Sequence, residues 1–413
     1  MEEREFELQI GQELRIEIFF EQSLSVLLEL GRAEKFGEEL PAGNWITYYG
    51  PEKFAIFTWH GCKLKTWGFC SNIYKSTSET PMPGYLLAHG QINRLRYEAC
   101  RNRQLGPRVI VAGGSSCGKS TLCKILLNYA SKCGWRPTFV ELDVTNNEMF
   151  LPGCISAASY YHNTWDPVLA YYYGHTSINF STIELFKPLI NELVAHVNQR
   201  VENELQFCQE NYKESFDPRN NSYASGCIIN FPPFLDLNLC ESILNFVIDA
   251  FQTNFVLVIE QERLLSSLQS RGFEPIHLGK SGGVVPLEVE YKGKLMHHSL
   301  NSYFAKHQIH QLSLNFSEIK VFKVTVSSTP LSALTYGENL QGEGLIVSQV
   351  APTTETLLNA VLGVLTHEEV LKSPVIGVVH VVEVDETNKT LKVLAPGPLP
   401  SKNFLLGSLK MLK

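Results

Sequence analysis

The feature that most narrows the fold is a short apolar strand, Val109–Ala112, running into Gly113-Gly114-Ser115-Ser116-Cys117-Gly118-Lys119-Ser120. This is the G-x-x-x-x-G-K-[ST] (Walker A) pattern, and its surroundings fit it. After the loop, Leu122, Ile125, Leu126 and Tyr129 recur at i, i+3, i+4 and i+7, the spacing of one buried helix face. Each part has a physical reason. The glycines let the backbone curl so that its N–H groups converge on phosphate oxygens, and the helix N-terminus adds the positive end of its dipole. Lys119 can reach the terminal phosphates, and the Ser120 hydroxyl can ligate Mg²⁺. The candidate nucleotide-binding residues are therefore Gly113, Gly114, Ser115, Ser116, Cys117, Gly118, Lys119, Ser120 and Thr121. A second Gly-Lys-Ser at Gly279-Lys280-Ser281 has Glu274 where the opening glycine belongs, so it reads as an ordinary turn.

Further apolar runs extend this unit. PTFVELDV, SGCIINF and NFVLVIEQ read as strands buried on both faces of a parallel sheet, with helical segments such as Ile183–Glu204 between them. The alternation predicts a doubly wound α/β domain over 93–310. Residues 1–92 show short apolar runs at roughly ten-residue spacing, which predicts a small β-sandwich. Arg94–Arg103 reads as a linking helix. Residues 311–413 read as a smaller C-terminal α/β domain with one hairpin, VIGVVHVVEV-DETNK-TLKVLAP, and one helix, Thr353–Leu365. The stretch 209–225 reads as a polar surface loop.

Asp143 closes the strand after the loop helix. Strand C-termini face the ligand crevice in a doubly wound sheet, so Asp143 is a candidate Mg²⁺ ligand or catalytic base, or else a turn-capping carboxylate. Composition bounds the rest. A net charge of −7 argues against a surface that coats nucleic acid broadly. The ten cysteines form no C-x-x-C pair, which suits reduced thiols inside a cell. No apolar run reaches the ~18 residues of a membrane helix. The expectation is a soluble protein of cytosol or nucleus, with no membrane contact.

Several fragments, in order, carry a resemblance. They are Phe6-Glu7-Leu8, Glu13-Leu14-Arg15, FTWHGC, GPRVIVAGG, PTFVELDV, LPGCISA, SGCIIN, EQERL, KSGGVV and PLPSKNFLL. With them the chain resembles the Clp-type polyribonucleotide 5′-hydroxyl kinases, whose eukaryotic members are subunits of the pre-mRNA cleavage and polyadenylation machinery. The resemblance implies three domains, with ATP and Mg²⁺ held between the phosphate loop and the N-terminal domain. It carries the N-terminal contacts onto Glu13 and Lys53. It implies a scaffold subunit of the cleavage complex as partner, association with tRNA-splicing endonuclease, and a nuclear location. It leaves RNA contact open.

The kinases of this family also use Gly-Gln after the strand-end Asp, a Thr-x-Gly-Trp clasp on the RNA end, and lid arginines. Here Thr145-Asn146 replaces Gly-Gln, Phe231-Pro232-Pro233-Phe234 stands at the clasp, and no arginine follows Arg271. Phe234 keeps a ring that could stack a base. Lys292 and Lys294 remain in the lid, with His297 and His298 beyond them, but an ammonium lacks the planar fork of guanidinium. A missing arginine finger typically costs ~10³–10⁵ in rate. The sequence thus predicts an ATP-binding subunit of the nuclear pre-mRNA 3′-end cleavage complex that holds ATP structurally. The alternative is an active RNA 5′-hydroxyl kinase with Asp143 as base.

Overall fold

A computed structural model describes residues 2–77, 79–210, 219, 222–234, 236–306, 309–326, 339–340 and 344–411. Of the predicted surface loop at 209–225, the start belongs instead to helix Ile183–Glu210 and Ser222–Ser225 is a buried helical turn packed on the core, while most of the rest lies outside the described residues. Among the described residues no helix is long and apolar enough to cross a membrane.

The N-terminal sandwich stacks two sheets. One orders Glu2–Leu8, Cys62–Gly68, Ser23–Gly31 and Trp45–Tyr49. The other orders Glu38–Glu39, Glu34–Lys35, Glu52–Phe57, Glu13–Ile18 and Asn72–Lys75. Strand Glu13–Ile18 shows how sequence period sets the layers. Leu14, Ile16 and Ile18 point into the sandwich core. Glu13 and Arg15, on the opposite face, are nonetheless buried, because the central domain covers them.

The linking helix is Met82–Asn102, twelve residues longer at its start than the predicted Arg94–Arg103. Pro83 does not stop it, because proline is well tolerated in a first helical turn. The helix packs against the phosphate-loop helix Lys119–Lys132.

The eight-stranded central sheet begins with Thr164–Trp165 and Leu169–Tyr172, both paired to Cys154–Tyr161, and runs on through Cys154–Tyr161, Thr138–Glu141, Cys227–Asn230, Arg108–Gly113, Phe255–Ile259 and Ile276–Leu278. The last five are mutually parallel, and Cys154–Tyr161 pairs antiparallel. Both faces are covered, as the continuous apolar runs require. Val109 and Val111 face Met82–Asn102 and Lys119–Lys132. Ile110 and Ala112 face Ile183–Glu210 and Leu237–Phe251. All strand C-termini of the parallel set therefore open on one crevice.

The C-terminal unit is β-rich, an eight-stranded sheet in the order His310–Asn315, Thr390–Ala395, Val375–Asp385, Ala360–Leu365, Asn403–Lys410, Lys320–Val326, Leu345–Gln349 and Asn339–Leu340. The predicted hairpin forms, with His380 opposite Leu394. The predicted helix Thr353–Leu365 does not. A four-residue turn of helix, Thr354–Leu357, stops at Asn359, whose φ is +62°, and AVLGVL continues as a fully buried strand. A short apolar run reads equally as buried helix or buried strand. Here pairing on both sides decided for strand.

Candidate functional site

The phosphate loop sits at the C-terminal end of the central strand. Gly113 has φ +153°, and a Cβ there would lie 2.7 Å from Cys117 Sγ and 2.9 Å from the Ile259 carbonyl oxygen. Gly118, at φ +99°, is the N-cap of the helix. Ser116 also takes a positive φ of +53°, so three of the loop's residues hold backbone angles rare for side-chain-bearing residues. Cys117 is buried and packs under the loop, and burial raises its thiol pKa, so it serves as filler rather than nucleophile. Lys119 is 5% exposed. Its ammonium donates to the carbonyls of Gly113 and Gly114 at 3.0 and 2.7 Å, which holds the charge at the mouth of the loop.

Behind the loop lies a polar chain that sequence reading missed. Glu141 and Asn230 sit directly opposite each other on neighbouring parallel strands. The Asn230 amide donates to both Glu141 oxygens at 2.8 and 3.0 Å and to Ser120 Oγ at 3.2 Å. Glu141 also accepts from the Asp143 backbone N–H at 2.9 Å. Asp143 in turn accepts through one oxygen, Oδ1, from both the N–H and the hydroxyl of Thr145. Burial, and then the charge of Asp143, hold the Glu141 carboxyl well above its ordinary range. Asn230 Oδ1 is buried without a partner. The legible signal was a polar residue ending each of two otherwise apolar buried strands.

This donor set fits a Mg²⁺-bound triphosphate. It offers a ring of loop N–H groups, one ammonium, the Ser120 hydroxyl, and a hard carboxylate oxygen at Asp143 suited to Mg²⁺ or its waters. The cavity in front measures about 560 Å³, a usual size for a small-molecule site. Loop residues Ser115 to Thr121, Asp143, Thr145 and Asn146 line its floor. Gly113 and Gly114 supply the turn behind it.

The opposite wall belongs to the N-terminal sheet. Glu13, Arg15, Glu17 and Lys53 line it, so the structure brings both predicted N-terminal residues to the cavity that holds the phosphate loop. Arg15 donates to Glu13 through Nε at 2.7 Å and through its second nitrogen at 2.5 Å. Lys53 pairs with Glu17 at 2.7 Å. Arg15 was not predicted as a wall residue, yet the KSGG segment is built around it: a Cβ on Gly283 would lie 2.8 Å from Arg15 Cδ. The second Gly-Lys-Ser is irregular chain after strand Ile276–Leu278, with the turn only beginning at Ser281, whose carbonyl accepts from the Val284 N–H at 3.0 Å, and with the Gly279 carbonyl accepting from the Tyr85 hydroxyl at 2.9 Å.

The two domains are also joined beside the cavity. Tyr129 on the loop helix donates to Glu34 at 2.5 Å, and Asn128 donates to the Phe36 carbonyl at 2.8 Å. Burial raises the Glu34 carboxyl pKa, against the opposing effect of its Tyr129 hydrogen bond.

The lid helix, Val289–Lys306, closes the cavity. Its lysines part company. Lys292 donates to Ser115 Oγ at 3.0 Å, at the loop. Lys294 forms an exposed pair with Glu290 at 2.8 Å and does not line the cavity. His298 lines the cavity and packs on Phe20, whereas His297 does not line it. At the clasp position the structure corrects the expectation of a stacking ring. Phe231 and Phe234 are buried, their rings 5.5 Å apart within the core that contains Leu239 and Ile243. Pro233 alone of that segment lines the cavity.

Comparison with known proteins agrees with this architecture. Residues 7–99 match the family described as N-terminal beta-sandwich domain of polyadenylation factor. Residues 113–306 match the mRNA cleavage and polyadenylation factor CLP1 P-loop, and 310–412 match the pre-mRNA cleavage complex II protein Clp1. The chain is 34% identical to a Protein CLP1 homolog of Arabidopsis thaliana, over 99% of this chain and 94% of that one. It is 32% identical to the human polyribonucleotide 5′-hydroxyl-kinase Clp1, over 97% and 94%. A solved structure of a wild-type Clp1p–Pcf11p complex has the same fold, with a TM-score of 0.80 at 24% identity over 99% of this chain and 98% of that one. With all three of its units matched and full-length relatives above 30% identity, the chain belongs to the Clp1 family.

Proposed function

We propose that this protein is an ATP-binding subunit of a nuclear pre-mRNA 3′-end cleavage complex, in which ATP with Mg²⁺ is held between units 1–92 and 93–310 and is not turned over. Its partner is a scaffold subunit of that complex, a reading supported by the similar protein solved in complex with Pcf11p. Lys119 grips the β and γ phosphates, Ser120 and Asp143 face the metal, and Glu13 and Lys53 meet the base and sugar end. When bound, Mg²⁺ would neutralise phosphate charge there.

The observation that carries this reading is the fate of the transfer apparatus. Phosphoryl transfer needs the acceptor hydroxyl positioned in line and the spreading charge met by cations. The clasp rings lie in the core, and one lid cation, Lys292, reaches the loop. The site supports ground-state binding better than transfer.

The runner-up is an active RNA 5′-hydroxyl kinase, favoured by Lys292 at Ser115 and by Asp143 at the cavity floor. One assay separates the two. Purified protein is incubated with γ-labelled ATP and a 5′-hydroxyl oligoribonucleotide. The proposal expects no multiple-turnover labelling. Steady labelling that Asp143→Ala abolishes, with nucleotide binding kept, would establish the kinase instead.

A further inference from the structure

The lid helix is anchored unevenly. Its buried side chains are Leu300 and Phe304, both near its C-terminal end, where they pack with Val361, Val375 and Leu405 of the C-terminal sheet. Its N-terminal half, which carries Lys292, buries no side chain in the central domain. Besides Lys292 at Ser115 and the half-buried Met296, that half touches the turn between strands Glu13–Ile18 and Ser23–Gly31. The Tyr291 ring lies 5.9 Å from Phe19 and 5.8 Å from Phe20, and one further contact, His298 on Phe20 at 5.6 Å, extends the cluster along the helix. Lys53 Nζ sits 5.8 Å from both the Phe19 and the Tyr291 ring, which adds cation–π attraction. The edge-on and tilted geometries are those aromatic pairs prefer.

The next residue after Tyr291 is the one that reaches the phosphate loop. Fixing Tyr291 therefore fixes where Lys292 can go. Phe19 is 42% exposed even in this closed arrangement, so the cluster is a surface seam rather than core, and it can part without unfolding either domain.

We propose that Tyr291, held between Phe19 and Phe20, is a positioning residue for the nucleotide site. It latches the lid helix to the N-terminal domain across the cavity, and the latch sets how long a nucleotide stays. This rests on the reading that a nucleotide occupies the cavity, and it adds to that reading the element that controls release. Lid opening then swings on the Leu300–Phe304 end, and the N-terminal domain serves as the catch as well as a wall of the site.

The test uses the full chain and a fluorescent ATP analogue with Mg²⁺, with release followed by chase with unlabelled ATP. Tyr291→Ala and Phe20→Ala are each expected to speed release by about tenfold, since each removes two aromatic contacts. Association rates and nucleotide-free melting should stay near those of the wild type. Tyr291→Phe, which keeps the ring, should restore slow release. The double variant should speed release by less than the product of the two single effects, because the residues share the Tyr291–Phe20 contact. Release unchanged within twofold in both single variants, or additive effects in the double, overturns the latch while leaving nucleotide binding intact. Failure of the wild-type chain to bind the analogue overturns the latch together with the reading it rests on.

Discussion

Replacing Lys119 with alanine separates the nucleotide's contribution to stability from the fold's own. In the fold the Lys119 ammonium is buried and donates to two loop carbonyls. Removing it forfeits two hydrogen bonds from a charged donor, roughly 1.5–3 kcal/mol each, but also removes a buried charge whose desolvation opposes folding by several kcal/mol. These terms nearly cancel, so the nucleotide-free variant should melt close to the nucleotide-free wild type. With ligand the two diverge. A ligand at about 1,000 times its dissociation constant stabilises the form that binds it by about 4 kcal/mol. At roughly 2–4 °C per kcal/mol for a domain of this size, that is a shift of about 8–16 °C. Differential scanning fluorimetry of both proteins, with and without millimolar ATP and Mg²⁺, reads this directly. The wild type should rise and Lys119→Ala should not. A wild type that melts at the same temperature with and without ATP, after bound nucleotide has been stripped, refutes the reasoning.

Three other outcomes follow from burial and charge. Burial, and then Arg96, lower the pKa of His89 from 6.5 to about 4, so its neutral form contributes stability that is complete above pH 6.5 and is lost as pH falls towards 4. That shift is worth roughly 3 kcal/mol, and His89→Leu should show a shallower loss of stability than wild type across that window in urea titrations. Phe234→Ala should cost about 3–5 kcal/mol in global unfolding, as a core truncation does, without weakening binding to a 5′-hydroxyl RNA probe. A cheap substitution that selectively weakens RNA binding would return Phe234 to the clasp. Tyr129→Phe should cost about 1–3 kcal/mol by leaving the buried Glu34 short of a donor, and pairing it with Glu34→Leu should recover part of that loss in a double-mutant cycle.

How much of this was legible depended on whether the signal was local. The loop Gly113–Ser120 and its flanking strand and helix are read within about twenty residues, and the structure builds them as the pattern demands. Alternation in Glu13–Ile18 likewise marked which residues face the core. It could not say that the other face would be covered by a second domain, so Arg15 was not read as a wall of the site. Glu141 and Asn230 are 89 residues apart and meet only through parallel pairing. Neither has a motif of its own. The latch is less visible still, since Phe19 and Tyr291 come together through two elements from different domains. Phe234 misled for the opposite reason. An aromatic residue near a binding loop suggests stacking, but its ring had a core to fill, and burying a large apolar side chain is worth more than exposing it beside two prolines.

On the proposed function, these non-local features acquire a common sense. Binding energy raises a reaction rate only where it is larger in the transition state than in the ground state. A site that invests in the ground state gains retention instead. Here the ground-state contacts are many: the loop, the Ser120–Asn230–Glu141 chain, the Glu13–Arg15–Lys53 wall and a lid tied down from the far domain. The groups that would act only during transfer are few, namely Asp143 with one oxygen committed to Thr145, and Lys292. Restoring a guanidinium fork in the lid alone, as in Lys292→Arg, would therefore deepen retention rather than start turnover. The acceptor would still lack a stacking ring at the clasp position, because Phe231 and Phe234 remain inside the core.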